Sequence, residues 1–270
     1  MRRLLAVALI ALASAPAQTV RFAILGDRTG ETEPGVYQQI WREIAAQNPA
    51  FVLSVGDTIQ GVRDSSAESQ WREWSALMEP WRKFELLLTP GNHDVWSPAS
   101  MELYRKYSGR ELHYSFDRGP VHITVLDNSR SDALPTPELD YLESDLKAHA
   151  SQPVKIVVSH RPGWIFDVLG RNADAPLHQI AKKYGVKYVL SGHVHELLHF
   201  SFDGIEYVSV MSSGGHLRNS HRYEDGWFFG YAMVEVSGAQ TTFLIKEARS
   251  PAGQGRESTL DQWLGVGARR

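Results

Sequence analysis

The chain has 270 residues, 43% hydrophobic and 22% charged, with a formal net charge of -3, 11 His and no Cys. That length allows one large core or two smaller ones, and the charge balance argues against the basic patch of a nucleic-acid or membrane-surface binder. Without Cys there is neither a disulfide nor a thiolate ligand, so any transition-metal site must be built from nitrogen and oxygen donors.

In chain order, residues 1–17 read as a signal peptide. Arg2 and Arg3 give a charged start, residues 4–13 are apolar, and Ala15-Pro16-Ala17 offers a small-x-small cleavage site. The apolar run is too short for a stable membrane span. The expected product is exported, periplasmic or extracellular, with no membrane attachment after cleavage. Residues 18–248 read as one domain. Strands are expected at 21–25, 51–55 and 86–89. Between them, 36–47 has helical apolar spacing (Val36, Ile40, Ile44) ended by Pro49, and 68–84 is helical with Trp71, Trp74 and Trp81 as packing residues. A hairpin is expected from 113–116 and 121–126 around Asp117-Arg118-Gly119-Pro120. The spacing then predicts a helix over 136–150, with Thr136 as its cap and Pro137 at its first position. A strand over 154–158, a helix over 176–184 and a strand over 187–190 follow. Strands at 197–202, 205–210, 231–236 and 241–246 come without long helices between them, the first two joined by Asp203-Gly204. The first two thirds is thus βα-like and the last third antiparallel. The fold class is α/β, with two sheets packed face to face and helices outside. Residues 249–270 are Gly- and Arg-rich and read as a loosely held C-terminal tail, with 260–264 as a candidate docked turn.

Five of the apolar runs end in a residue type that binds metal. They are followed at once by Gly26-Asp27, Gly56-Asp57, Gly91-Asn92-His93-Asp94, Ser159-His160 and Ser191-Gly192-His193-Val194-His195. Catalytic groups of open α/β sheets collect beyond the carboxyl ends of strands. Two carboxylates (Asp27, Asp57), one amide (Asn92) and three imidazoles (His160, His193, His195) at one sheet edge make a nitrogen and oxygen site. Such a set can hold two divalent ions with one carboxylate bridging them. A single Gly-Asp after a strand is an ordinary turn, and a single His-x-His is an ordinary pair on one face. All five in this order are specific.

Together these segments resemble the calcineurin-like metallophosphoesterase superfamily, which includes purple acid phosphatases and cyclic-nucleotide phosphodiesterases. The resemblance covers residues 21–215. It implies a four-layer α/β/β/α sandwich of two mixed sheets flanked by helices. It implies two divalent ions (Mn, Fe or Zn): one held by Asp27, Asp57 and His195, the other by Asp57, Asn92, His160 and His193. His93 would sit by the scissile phosphate, stabilising charge or protonating the leaving oxygen. The implied reaction is hydrolysis of a small-molecule phosphate mono- or diester by a hydroxide shared between the ions, with no nucleic-acid partner. Two positions depart from the pattern. Thr29 stands where many relatives have His, and Gln60 where purple acid phosphatases have Tyr, so the first ion lacks a fourth protein ligand and a purple ferric centre is not expected. Water, Thr29 or Gln60 are the candidates to fill that gap. Arg28 and His216 are candidate substrate contacts, and Arg161 and Trp164 candidate pocket residues. His113, His122, His149, His178, His199 and His221 read as structural or surface. The alternative reading is a catalytically weak, single-metal protein that binds a phosphate ligand.

Overall fold

Among residues 18–266, which the computed structural model describes, twelve strands form two six-stranded mixed sheets. The signal-peptide reading falls on residues 1–17, outside the described residues. The first sheet runs from edge to edge as β12 (Glu257–Thr259), β11 (Gln240–Glu247), β10 (Gly230–Ser237), β1 (Thr19–Leu25), β2 (Val52–Ser54) and β3 (Leu86–Leu88). Its β1, β2 and β3 are parallel; β10, β11 and β12 join antiparallel. The second runs β4 (Tyr114–Arg118), β5 (Val121–Leu126), β6 (Val154–Ser159), β7 (Tyr188–Ser191), β9 (Ile205–Ser209) and β8 (Leu198–Phe202), with β5, β6, β7 and β9 parallel.

The alternation of side chains along each strand sorts the apolar residues into separate cores. Phe22 and Ile24 of β1, Val234 and Val236 of β10, Ile123 and Val125 of β5, and Ile156 and Val158 of β6 share the core between the sheets. Their neighbours point the other way. Ala23, Leu25, Tyr231 and Met233 pack on α1 (Val36–Gln47), α2 (Asp64–Met78) and α3 (Pro98–Ser108) through Ile40, Trp41, Trp71 and Tyr104. Leu126, Val157 and Val189 pack on α4 (Thr136–Ala148), α5 (Ile165–Leu169) and α6 (Pro176–Tyr184) through Leu142, Leu146, Val168 and Ala181. The result is the four-layer α/β/β/α sandwich. Each large side chain so buried contributes about 1.5–3 kcal/mol. No helix among the described residues is long and apolar enough to cross a membrane.

The structure departs from the sequence expectations in several places. Helix α2 begins at Asp64 and ends at Met78, where a 3₁₀ turn, Glu79–Trp81, takes over. Pro80 has no N–H to continue the α-helical ladder. Helices α3 and α5 were not expected. Helix α3 is opened by a capping box of Ser97 and Ser100, yet buries only Ser100 and Tyr104, too thin a stripe to show as periodicity. Helix α4 is not capped by Thr136. Pro135 is the N-cap, in extended backbone, and Thr136 is already helical. The segment after residue 249 is held more firmly than its composition suggests. Strand β12 pairs with β11, Arg256 grips Glu247 through Nε (2.9 Å) and a terminal nitrogen (3.0 Å), and the turn Leu260–Trp263 buries Leu260 and Trp263 in the inter-sheet core.

Candidate metal centre

The parallel strands of both sheets deliver their carboxyl ends to one place. Asp27 follows β1, Asp57 follows β2, residues 91–94 follow β3, His160 follows β6, and His193 and His195 follow β7. Cross-sheet bonds tie these ends together: the His193 N–H donates to both Asp27 oxygens (3.0 and 2.9 Å), and His160 Nδ1 lies 2.9 Å from the Val55 carbonyl. The backbone is bent hard to do this. Asp57, His193 and His195 adopt positive φ (56, 69 and 63°), a conformation that costs a non-glycine residue about 1–3 kcal/mol and concentrates at functional sites. Several bonds hold it in place. The Arg28 and Thr29 N–H groups both donate to the Asp57 carbonyl (3.2 Å each), and the His93 N–H donates to Asp57 Oδ1 (2.9 Å).

Two groups of side chains converge, and Asp57 belongs to both. Ligand-type atoms of Asp57, His160 and His193 lie within 4.8 Å of one another, as do those of Asp27, Asp57 and His195. Asp27, Asp57, His160 and His195 are fully buried. Asn92 joins the first group, its Oδ1 being 3.1 Å from His160 Nε2.

The hydrogen bonding leaves these atoms short of protons. His160 spends its Nδ1–H on the Val55 carbonyl, and His195 spends its Nδ1–H on the His216 carbonyl (2.7 Å). In each neutral ring Nε2 is therefore a lone pair, the arrangement that a second-shell carbonyl imposes on a metal-binding His. His160 Nε2 faces Asn92 Oδ1 (3.1 Å) and Asp57 Oδ2 (3.2 Å), while His195 Nε2 faces Asp27 Oδ2 (3.2 Å). These are acceptors pointed at acceptors, which only a proton or a metal cation can reconcile. Asp57 Oδ2 and His193 Nδ1 are buried with no hydrogen-bond partner among the described residues, and a buried polar atom left so is costly unless something else satisfies it. The donor set and its unsatisfied lone pairs fit divalent cations.

The electrostatics agree. Burial opposes ionisation of Asp57, yet His160 and His93 hold its carboxyl well below the usual range. Burial works against the charged His160 ring, but the Asp57 carboxylate overrides it and raises the pKa to about 9. The ring thus takes up a proton where the site calls for a cation. His193 is pushed down to about 4 by burial and by the charges of His160 and Arg161, so its ring is neutral and its lone pair available at neutral pH.

The calcineurin-like phosphoesterase family matches residues 20–197 of this chain. The chain belongs to this family. Purple acid phosphatase 15 of Arabidopsis thaliana is 25% identical over 147 residues, covering 47% of this chain and 28% of that protein. Tartrate-resistant acid phosphatase type 5 of Rattus norvegicus is 25% identical, covering 91% of this chain and 92% of that one. A solved purple acid phosphatase from yellow lupin (Lupinus luteus) has the same fold, with a TM-score of 0.64 at 16% identity over 90% of this chain and 54% of that one. The chain spans well under half the length of the Arabidopsis protein.

Around this candidate centre, the structure sorts the remaining candidates. His93 is partly exposed beside the cluster, its Nδ1 2.6 Å from the Gln60 carbonyl. Arg28 is not brought into the cluster. Its guanidinium donates to the Thr58 carbonyl (2.7 Å) and lies over the Tyr37 ring, bracing the turn after β2. His216 contributes its backbone carbonyl, while its exposed ring packs against His221. Arg161 pairs with Asp132 (2.7 Å), and buried Trp164 donates to Ser191 Oγ (3.0 Å). Thr29 and Gln60 bond to each other, Thr29 Oγ1 donating to Gln60 Oε1 at 2.6 Å.

Two residues with clear roles were missed by sequence reasoning. Asp94 is buried and accepts from the N–H groups of Thr58 (2.8 Å), Ile59 (3.1 Å) and Gly91 (3.0 Å), clamping the turn after β2 to the turn after β3. Burial and the nearby Asp57 charge raise its pKa to about 7. It was visible as the last residue of Gly-Asn-His-Asp, and its type, acceptor-only when ionised, was the signal. Arg218 places a terminal guanidinium nitrogen 3.4 Å from His195 Nε2; it belongs to no motif, and nothing in the local sequence marks it.

Proposed function

We propose that this phosphoesterase hydrolyses small phosphate esters at a two-ion centre. One position would be held by Asp27, Asp57 and His195, the other by Asp57, Asn92, His160 and His193, with Asp57 shared. The observation that carries this reading is the pair of convergent ligand groups meeting at a buried carboxylate oxygen that has no hydrogen bond. Two divalent ions, when bound, supply positive charge against the phosphoryl oxygens and acidify water to near neutrality.

The rest of the work falls to the chain. Phosphoryl transfer needs positioning and charge neutralisation more than covalent help. The carbonyls of Val55 and His216 fix the His160 and His195 rings with their lone pairs inward. Asp94 sets the distance between the Asp57 and Asn92–His93 turns. His93, anchored through Nδ1 on the Gln60 carbonyl, keeps Nε2 for the substrate and would pass a proton to the leaving oxygen. We also propose that the protein is exported, on the order of charged, apolar and small residues in 1–17.

The test is elemental analysis of the protein at saturating Mn²⁺, paired with hydrolysis of a chromogenic phosphate monoester and a diester. Two ions per chain with turnover on either ester is the expected result, and the better ester names the class. A single ion with no turnover sinks the enzyme reading. The single-metal phosphate-binding protein would then replace it, a reading favoured by the Thr29–Gln60 bond that leaves the first position with three donors.

A further inference from the structure

We infer that Arg218 is the resident cation of the first ion position, so that the two positions load unequally and the ion at Asp27, Asp57 and His195 enters only by displacing it. This rests on the two-position reading above. Four observations carry it.

First, the guanidinium sits against the ligand atom itself, a terminal nitrogen lying 3.4 Å from His195 Nε2. That Nε2 is a lone pair, because Nδ1 is spent on the His216 carbonyl. A divalent ion there would lie about 2.0–2.1 Å from the same atom, close enough to repel the guanidinium, which reaches this buried ring from an exposed residue and can swing away into solvent. Second, Arg218 forms no ion pair with any carboxylate among the described residues, and the buried ring nitrogen that it meets also faces Asp27 Oδ2 at 3.2 Å. Its charge is therefore available to compensate a group that would otherwise need a metal.

Third, the loop carrying Arg218 is fastened to this position. The Ser213 and Gly215 N–H groups donate to the Asp27 carbonyl (2.9 and 3.1 Å), the His216 N–H donates to the Glu31 carbonyl (2.8 Å), and Leu217 is buried. The other wall is Gly30. A Cβ there would come within 2.8 Å of His195 Cε1 and 3.5 Å of the Arg218 nitrogen, so the imidazole and the guanidinium share space that a side chain would close. Fourth, the position has no fourth ligand to help an ion compete. Thr29 Oγ1 is bonded to Gln60 Oε1 (2.6 Å), and that same oxygen accepts the Glu31 N–H (3.1 Å). The second position has four donors, Asp57, Asn92, His160 and His193, against three at the first.

The experiment is calorimetric titration of the metal-stripped full chain with Mn²⁺, for wild type, Arg218→Met and Arg218→Lys, with ion counts after desalting. Wild type should bind in two phases whose affinities differ at least about tenfold, and retain one ion after desalting. Arg218→Met should tighten the weaker phase by about tenfold and leave the tighter one unmoved; Arg218→Lys, which keeps the charge, should stay near wild type. His195→Ala should remove the weaker phase alone. Two equal phases in wild type, or a weaker phase unmoved in Arg218→Met, would overturn the inference and leave the two-ion enzyme standing. If Arg218→Met does not fold, Arg218→Gln, which also removes the charge, must tighten the weaker phase in the same way, and two equal phases in wild type overturn the inference without any variant. No Mn²⁺ binding by wild type would overturn the two-position reading, and this inference with it.

Discussion

Among the described residues, two regions bring three or more His and carboxylate groups together, and interatomic distance alone does not separate them. One is the candidate metal centre. The other joins Asp117, His122, Asp145 and His149, where β4 and β5 meet α4; its Asp117, His122 and His149 ligand-type atoms also fall within 4.8 Å of one another. The difference lies in what the hydrogen bonds leave over. In the second cluster His122 meets Asp117 Oδ1 through Nδ1 (2.7 Å) and Asp145 Oδ2 through Nε2 (2.8 Å), while Ser115 and Thr124 hydroxyls fill the rest of Asp145 (2.7 and 2.6 Å). Both ring nitrogens of His122 and both oxygens of Asp145 are hydrogen-bonded, so the atoms at the middle of this cluster are already satisfied without an ion. At the candidate metal centre, only a proton on His160 or a metal cation reconciles its Nε2 with Asp57 Oδ2, and His193 Nδ1 has no hydrogen-bond partner among the described residues. Ligand capacity is thus a property of unsatisfied lone pairs, not of residue types in proximity.

The sharpest use of this comparison starts at the reaction. His93→Ala should lower turnover by about 10²–10⁴-fold while the Mn²⁺ content per chain stays at the wild-type value, since His93 is outside both ligand groups. Ion content falling with activity would move His93 into the ligand set. The two clusters can then be set against each other with one substitution in each. His160→Gln should cost the chain an ion by elemental analysis. His122→Gln should leave the ion count unchanged and lower the stability by about 1–3 kcal/mol, because it breaks the pair of bonds by which one ring links Asp117 to Asp145. A lower ion count in His122→Gln would mean that the second cluster also binds metal, and the comparison would fail.

Much of the candidate centre is legible in the sequence because each candidate ligand follows closely on its strand. Once Gly-Asp, Gly-Asn-His-Asp and Gly-His-Val-His stand at the ends of parallel strands, the sheets bring them together without further information, and β1, β2, β6 and β7 begin and end within two residues of the runs that announce them. What the sequence hides is non-local. Arg218 reaches His195 only because the 213–217 loop is hung from the Asp27 and Glu31 carbonyls, bonds that no pattern of residue types encodes. The Thr29–Gln60 bond spans 31 positions. Helices α3 and α5 bury too few residues to show a period, and strand β12 is placed by Leu260 and Trp263 closing the core, not by its own sequence, Glu257-Ser258-Thr259.

Asp94 tests whether the centre is held by its clamp or by its strands. Asp94→Asn keeps the shape but replaces one acceptor oxygen with an NH₂ donor, which must face either the Gly91 N–H or those of Thr58 and Ile59. One buried donor at least is left unpaired, at a cost of about 1–3 kcal/mol. Chemical denaturation of the metal-free protein should show that loss, and Mn²⁺ affinity should fall with it because the Asp57 and Asn92 turns lose their fixed spacing. Unchanged affinity would mean that the strand ends alone set the geometry.

The smallest expected effect is a pH dependence of the second cluster, and its sign follows from two opposite shifts. Burial works against a charged His122, but Asp145 and Asp117 raise its pKa above the ordinary value. Burial works against ionised Asp145, but His122, Thr124 and Ser115 lower its pKa. A raised His stabilises the fold fully below its unfolded pKa of about 6.5 and loses that contribution as pH rises through the folded value. A lowered Asp contributes fully above its unfolded pKa of about 3.9 and loses that contribution as pH falls through the folded value. Both contributions are complete only between about pH 4 and 6.5. The difference in Tm between the metal-free wild type and His122→Gln should therefore be widest in that window and narrow toward higher pH. A difference that keeps widening above pH 7 would mean that His122 is held neutral, and that the cluster is a hydrogen-bonded network without an ion pair.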